Sequence, residues 1–191
     1  MKKLLLAASL LLSVCVHAQV SVGLKAGVNV SNFSGGDFDA VEKKALVGFH
    51  GGLFFNFALG AISLQPEVMV STQGAKIDSV NGSYDWRLVY ANVPVMLKYR
   101  TAAGLYFELG PQFGFKLSED VKNETIENFA KDLDLSAAAG LGFQTKRGLG
   151  IGARYLVGLS KVGDFDQTAN NPDPDFKNSV LQVSITFPLS R

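Results

Sequence analysis

Few side chains in this 191-residue chain are placed for chemistry. His50 is one of two histidines, and a histidine can serve as a base or a metal ligand. It sits between Phe49 and Gly51 in a run where apolar residues alternate with polar ones. It therefore reads as a polar side chain on one face of a strand. Asp164, Asp166, Asp173 and Asp175 could attract calcium through carboxylate oxygens. Their spacing is not that of an EF-hand, and a solvated loop explains them more simply. No glycine-rich phosphate loop stands between a strand and a helix, and no serine is marked as a nucleophile. Cys15, the single cysteine, falls in an N-terminal apolar run, so no disulfide or thiolate site is expected beyond it. No catalytic residue, metal site or cofactor follows from these residues, and the chain is expected not to be an enzyme.

Six charged residues stand out instead: Lys25, Glu67, Lys98, Glu108, Asp134 and Arg154. Each is flanked on both sides by residues of an apolar or proline type, as Arg154 is by Ala153 and Tyr155. In a strand, neighbours point to opposite faces, so these six share the face away from the apolar one. A charge enclosed there needs a partner or water, because burying it alone is very costly. Lys98 and Glu108 are candidate partners across a hairpin, and Arg154 could bridge Glu108 or Glu67 with its five donors. The expected role of this network is to stabilise the fold.

The elements that position these charges are strands. Residues 20–31 alternate Val20, Val22, Leu24, Ala26, Val28 and Val30 with polar or small residues. The same period of two recurs over 45–57, 61–73, 87–99, 104–116, 132–144, 149–160 and 180–187, which makes eight strands. Short connections at 58–60, 100–103 and 145–148 alternate with long polar ones at 32–44, 74–86, 117–131 and 161–179. The pattern is that of an up-and-down antiparallel barrel with short periplasmic turns and longer outer loops. Tyr84 and Trp86 are expected to anchor a strand at the outer interface.

Met1-Lys2-Lys3, an apolar run from Leu4 to Val16, and His17-Ala18-Gln19 have the organisation of a secretory signal peptide. The run of about thirteen residues is shorter than the roughly twenty of a spanning helix. Residues 1–18 are thus expected to be a leader, and 19–191 an outer-membrane β-barrel domain. Without the leader, Lys+Arg falls from 18 to 16 against 17 Asp+Glu, for a formal charge of -1. That charge, with no basic run, argues against a nucleic-acid partner.

A soluble barrel would turn its apolar face inward, whereas a membrane barrel turns it outward. No charge falls on the apolar faces, and the opposite faces carry mainly small and uncharged polar residues with a sign-balanced few charges. Such faces suit a narrow lumen better than a watered surface. Phe57, Tyr99, Phe143 and Phe187 fall on the apolar face at the ends next to the short turns or the C-terminus, where an aromatic girdle would sit. The fold expectation is therefore all-β: an eight-stranded antiparallel up-and-down transmembrane β-barrel. Closure leaves no strand edge in hydrocarbon, and eight strands leave no wide channel, which disfavours a general porin.

Several pieces in order resemble one known family. They are Gly23-Leu-Lys-Ala-Gly-Val-Asn-Val-Ser-Asn-Phe33, Gly48-Phe-His-Gly-Gly-Leu-Phe54, Leu64-Gln-Pro-Glu-Val68 with Gln73-Gly-Ala-Lys76, and Asn92-Val-Pro-Val-Met-Leu-Lys-Tyr99. Glu108-Leu-Gly-Pro-Gln-Phe-Gly114, Gly140-Leu-Gly142 and Gly152-Ala-Arg-Tyr-Leu-Val-Gly-Leu159 continue the series. Together they resemble the outer-membrane β-barrel domain family of Bacteroidota, the group that includes the porin-T-like proteins. The resemblance implies an outer-membrane location and no single activity. Many outer-membrane chains end in an aromatic residue, whereas Phe187 here is followed by Pro188-Leu-Ser-Arg191. The expected function is a small non-enzymatic barrel with an envelope-structural role or an accessory role in an outer-membrane complex. The alternative is a binding or adhesion module acting through its outer loops. Outer-membrane lipid and an envelope protein complex are the expected partners, and a monomeric barrel satisfies the pattern.

Overall fold

The computed structural model describes residues 19–35, 42–79, 82–121, 133–160 and 176–190. The leader region 1–18 and the four aspartates at 164–175 lie outside them. Eight strands follow in order: β1 (Gln19–Gly35), β2 (Glu42–Leu59), β3 (Ile62–Ser79), β4 (Gly82–Arg100), β5 (Leu105–Val121), β6 (Leu133–Gln144), β7 (Gly150–Gly158) and β8 (Phe176–Pro188). Each pairs antiparallel with its sequence neighbours, and β8 closes on β1. The result is a closed eight-stranded barrel without a free edge.

Two of the tight turns are built alike. Thr101-Ala102-Ala103-Gly104-Leu105 and Thr145-Lys146-Arg147-Gly148-Leu149 share a T-x-x-G-L sequence. In both, the threonine N–H and hydroxyl bond the leucine carbonyl, at 2.8 and 3.1 Å, and the glycine N–H returns to the threonine carbonyl at 3.0 Å. Gly104 and Gly148 have φ of 95° and 88°, a backbone region that side chains disfavour.

The loop-side ends differ from the sequence expectation. Residues 74–86 were expected to form a long loop, but β3 and β4 stay paired from Ala75↔Trp86 to Ser79↔Gly82. β1, β2, β5 and β8 likewise run into segments expected to be loops, at 32–35, 42–44, 117–121 and 176–179. The reason is physical: a strand that runs past the hydrocarbon layer no longer needs an apolar outward face. There the apolar/polar alternation fades while the backbone ladder continues. The same extension places Tyr84 and Trp86 within β4, though their side chains lie outside what is described.

The apolar faces point outward. Phe49, Leu109 and Ile185 are 69%, 61% and 64% exposed, whereas Glu67 is fully buried and Arg154 is 2% exposed. Tyr99, Phe143 and Phe187 stand exposed at the turn end, with Phe57 half-buried at the same end. Among the described residues no helix is long and apolar enough to cross a bilayer, so any crossing falls to the strands. The lumen is not wholly polar. Met96, Ala138, Leu156 and Val180 form a small inward apolar cluster from β4, β6, β7 and β8.

Candidate functional site

The inward register decides which charges meet. Lys25 on β1, Glu67 on β3, Glu108 on β5 and Arg154 on β7 come from the four odd-numbered strands, so they enter the lumen from four sides. Arg154 joins them. Its Nη1 and Nη2 donate to the two carboxylate oxygens of Glu67 at 3.0 and 2.8 Å, and its Nε donates to Glu108 Oε1 at 2.8 Å. The Glu67 contact is the two-pronged arrangement that a planar guanidinium favours over a lysine ammonium. Lys25 Nζ donates to the same carboxylate at 3.2 and 3.4 Å, and Gln65 Nε2 adds a bond at 2.8 Å. Two cations and two carboxylates therefore balance in sign, and each side chain is at most 6% exposed.

Why these positions come together follows from room as well as register. Glu108 lies opposite Gly140, and Gly140 opposite Arg154. A Cβ on Gly140 would stand 3.0 Å from Glu108 Oε1 and 2.8 Å from the Ala153 carbonyl oxygen. The missing side chain is what lets the carboxylate reach the guanidinium.

The other two sequence candidates lie apart from this cluster. Lys98 is in register with Glu108 across the hairpin, but its Nζ lies over the Tyr106 ring, 3.7 Å from the centroid, and donates to Gln65 Oε1 at 3.5 Å. Asp134 accepts from Ser160 at 2.9 Å and from Ser136 at 3.3 Å at the loop-side end of β6. Gln65 and Tyr106 were not singled out from the sequence. The usable signal was their parity: Gln65 shares a face with Glu67, and Tyr106 with Glu108.

His50 is inward and buried. Its Nδ1 pairs with Asn29 Oδ1 at 2.6 Å and its Nε2 with the Ser184 hydroxyl at 2.8 Å. Asn29 in turn donates to the Thr72 carbonyl at 3.0 Å. The order serine–histidine–asparagine has the reach of a nucleophile, a base and an orienting group. Ser184 and His50 are each 4% exposed and Asn29 is fully buried, so the described part of the wall encloses all three side chains. Among the described residues, no group of histidine, cysteine or carboxylate side chains is arranged to hold a metal ion.

Comparison with known proteins adds the family. A family model described as "Outer membrane protein beta-barrel domain" matches residues 17–164. No curated protein matches the chain in sequence. Among solved structures, the chain is similar to Neisserial surface protein A, with a TM-score of 0.55 and 13% identity over 88% of this chain and 97% of that one. It is also similar to Ail, the attachment invasion locus protein of Yersinia pestis, at TM-score 0.50 and 17% identity over 90% and 99% of the two chains. OprG from Pseudomonas aeruginosa gives a TM-score of 0.50 and 11% identity over 92% and 98%. At such identities the likeness is one of fold.

Proposed function

Because the chain belongs to the outer membrane protein beta-barrel domain family, we propose that it serves the envelope as a closed, non-enzymatic barrel, structural in itself or accessory to an outer-membrane complex. It is a small eight-stranded protein of the outer membrane. The observation that carries the finer reading is the lumen. Its centre is occupied by the Arg154–Glu67–Glu108–Lys25 cluster, and its reactive-looking groups are enclosed by the wall. Residues 1–18 act in this reading as a leader removed before Gln19. The ordered sequence pieces favour the porin-T-like branch of Bacteroidota.

The Ser184–His50–Asn29 chain fits this reading as a cross-wall brace between β8, β2 and β1. An activated serine would label with a fluorophosphonate probe. No labelling of the folded barrel is expected. Ser184→Ala is expected to cost about 1 kcal/mol of stability, the ordinary value of one buried hydrogen bond. Labelling that Ser184→Ala abolishes would overturn the non-enzymatic assignment.

A second reading is adhesion through the outer loops. Ail was solved in complex with the heparin analogue sucrose octasulfate. Here segments 32–44, 74–86, 117–131 and 161–179 together hold thirteen acidic against seven basic residues. That balance suits a cationic partner better than a sulfated polyanion. Shortening these segments while keeping the strand register nearer the turn end separates the two readings. Retained envelope complexes after affinity capture are expected under the accessory role, and lost cell attachment with intact complexes favours adhesion.

A further inference from the structure

The turn-end mouth of the barrel has a charge pattern that the fold does not require. The turn segments 58–60, 100–103 and 145–148 contain Arg100, Lys146 and Arg147 and no acidic residue. Fifteen of the 17 acids lie instead in segments 32–44, 74–86, 117–134 and 161–179, the remaining two being the lumen residues Glu67 and Glu108. The two T-x-x-G-L turns have the same hydrogen bonds, yet one carries Ala102-Ala103 where the other carries Lys146-Arg147. The turn geometry therefore does not call for the two cations.

These cations converge on a cavity of about 550 Å³ at the mouth. Arg100, Lys146 and Arg147 line it, together with the donors Gln19, Asn56 and Ser63. Lys98 lines it from within, and Lys98 is only 3% exposed. The two carboxylates nearest in sequence logic, Glu67 and Glu108, are already engaged by Arg154, and Lys98 itself has the Tyr106 ring and one long bond to Gln65. Lys98 is thus a buried ammonium that faces a cavity and makes no hydrogen bond to a carboxylate among the described residues, its neighbours Glu108 and Glu67 being held by Arg154. A concave site lined by one charge sign, with low-dielectric walls, concentrates counter-ions. Two smaller pockets share lining residues with it. One includes Arg100 beside Leu59, and the other includes Arg147 beside Leu149 and Phe187.

We infer that this mouth is a binding site for a phosphate-class oxyanion, with Lys98 at its base and Arg100, Lys146 and Arg147 at its rim. Short turns face the periplasm in barrels of this kind, so the ligand is either a phosphorylated periplasmic solute or the headgroup of an inner-leaflet lipid. Arginine and lysine both suit phosphate, the former by its planar fork and the latter as a point charge. The two smaller pockets would let a lipid phosphate enter while its chains stay against the apolar wall.

The test is calorimetric titration of the full barrel, isolated from outer membranes in an uncharged maltoside, with sodium pyrophosphate. Saturable binding is expected. Replacing Lys146 and Arg147 together by alanine recreates the residues of the other turn, so the fold should persist. Losing charge-assisted bonds there should weaken binding by about tenfold or more. Lys98→Met should weaken it similarly, with a heat-shift gel reporting that the barrel is intact. A parallel titration with dihexanoyl phosphatidylglycerol below its micelle concentration identifies the source. Competition with pyrophosphate assigns the site to lipid, and heat from pyrophosphate alone assigns it to a solute. Absence of saturable pyrophosphate binding, or unchanged affinity in the double-alanine variant, would overturn the site.

Discussion

Replacing Arg154 with methionine is expected to cost about 3–5 kcal/mol of barrel stability, the usual penalty for leaving a buried charge without its partner. The arginine makes three hydrogen bonds to two carboxylates on β3 and β5, all within the lumen. Its removal has unequal consequences. Glu67 retains Lys25 at 3.2 Å and Gln65 at 2.8 Å, whereas Glu108 loses the one hydrogen bond it makes among the described residues. The cost should therefore fall mainly through Glu108, and neutralising that group should recover part of it. Glu108→Gln alone leaves a carbonyl oxygen that can still accept from Arg154, so its own loss should be smaller. The Arg154→Met/Glu108→Gln double variant should be more stable than the sum of the two single losses implies. Heat-shift midpoints of the folded band and urea unfolding in the same detergent measure all three. Additive losses would refute direct coupling of the pair. Unchanged midpoints in both single variants would refute a stabilising role. Arg154→Lys should fall between, because a lysine keeps the charge but not the two-pronged contact with Glu67.

Much of this cluster was legible because a barrel wall obeys a period of two. Arg154 lies between Ala153 and Tyr155, and Glu108 between Phe107 and Leu109, so alternation alone puts both on the inward face. What alternation does not give is height. Lys98 and Glu108 are direct cross-strand partners, yet the lysine ammonium goes to Tyr106 and Gln65, while Glu108 goes across the lumen to β7. That choice depends on how far the strands are sheared around the barrel, which is a property of closure and not of any one strand.

Two other features were hidden for a different reason. Met96 lies between Val95 and Leu97, and Leu156 between Tyr155 and Val157, so each run is apolar on both faces. An apolar residue inside such a run carries no signal that it points into the lumen, and the inner apolar cluster therefore went unseen. The loop-side ends failed in the opposite sense. At Ala75–Ser79 and Gly82–Trp86 the strands continue, but the residues on them are mostly polar or small, and a loop and a wet strand then look alike in sequence. The Ser184–His50–Asn29 brace was also beyond reach, since its three members come from β8, β2 and β1 and meet only when the barrel closes.

Closure also fixes where side-chain volume can go, and this makes Gly152→Ala a severe change for a single methyl group. Gly152 on β7 stands opposite Gly142 on β6, and the Tyr106 ring from β5 occupies the room that the two glycines leave. A Cβ on Gly152 would fall on the Tyr106 hydroxyl oxygen, with the ring's Cζ at 3.1 Å and the Leu141 carbonyl oxygen at 3.3 Å. Tyr106 is 5% exposed and also underlies the Lys98 ammonium, so it cannot swing aside without disturbing that contact. Overpacking of this kind costs about 1–3 kcal/mol. The geometry predicts a specific rescue. Tyr106→Phe removes the oxygen that Gly152→Ala meets and leaves only contacts beyond 3 Å, so the double variant should regain most of the loss. Gly142→Ala provides the contrast. Its Cβ would meet the Tyr106 hydroxyl oxygen and Cζ, both at 2.5 Å, and the Ile151 carbonyl oxygen, and deleting the hydroxyl relieves only the first of the three. Heat-shift midpoints should therefore show Tyr106→Phe rescuing Gly152→Ala and failing to rescue Gly142→Ala. Equal rescue at both positions, or none at Gly152, would mean that the ring does not pack between these two strands as described.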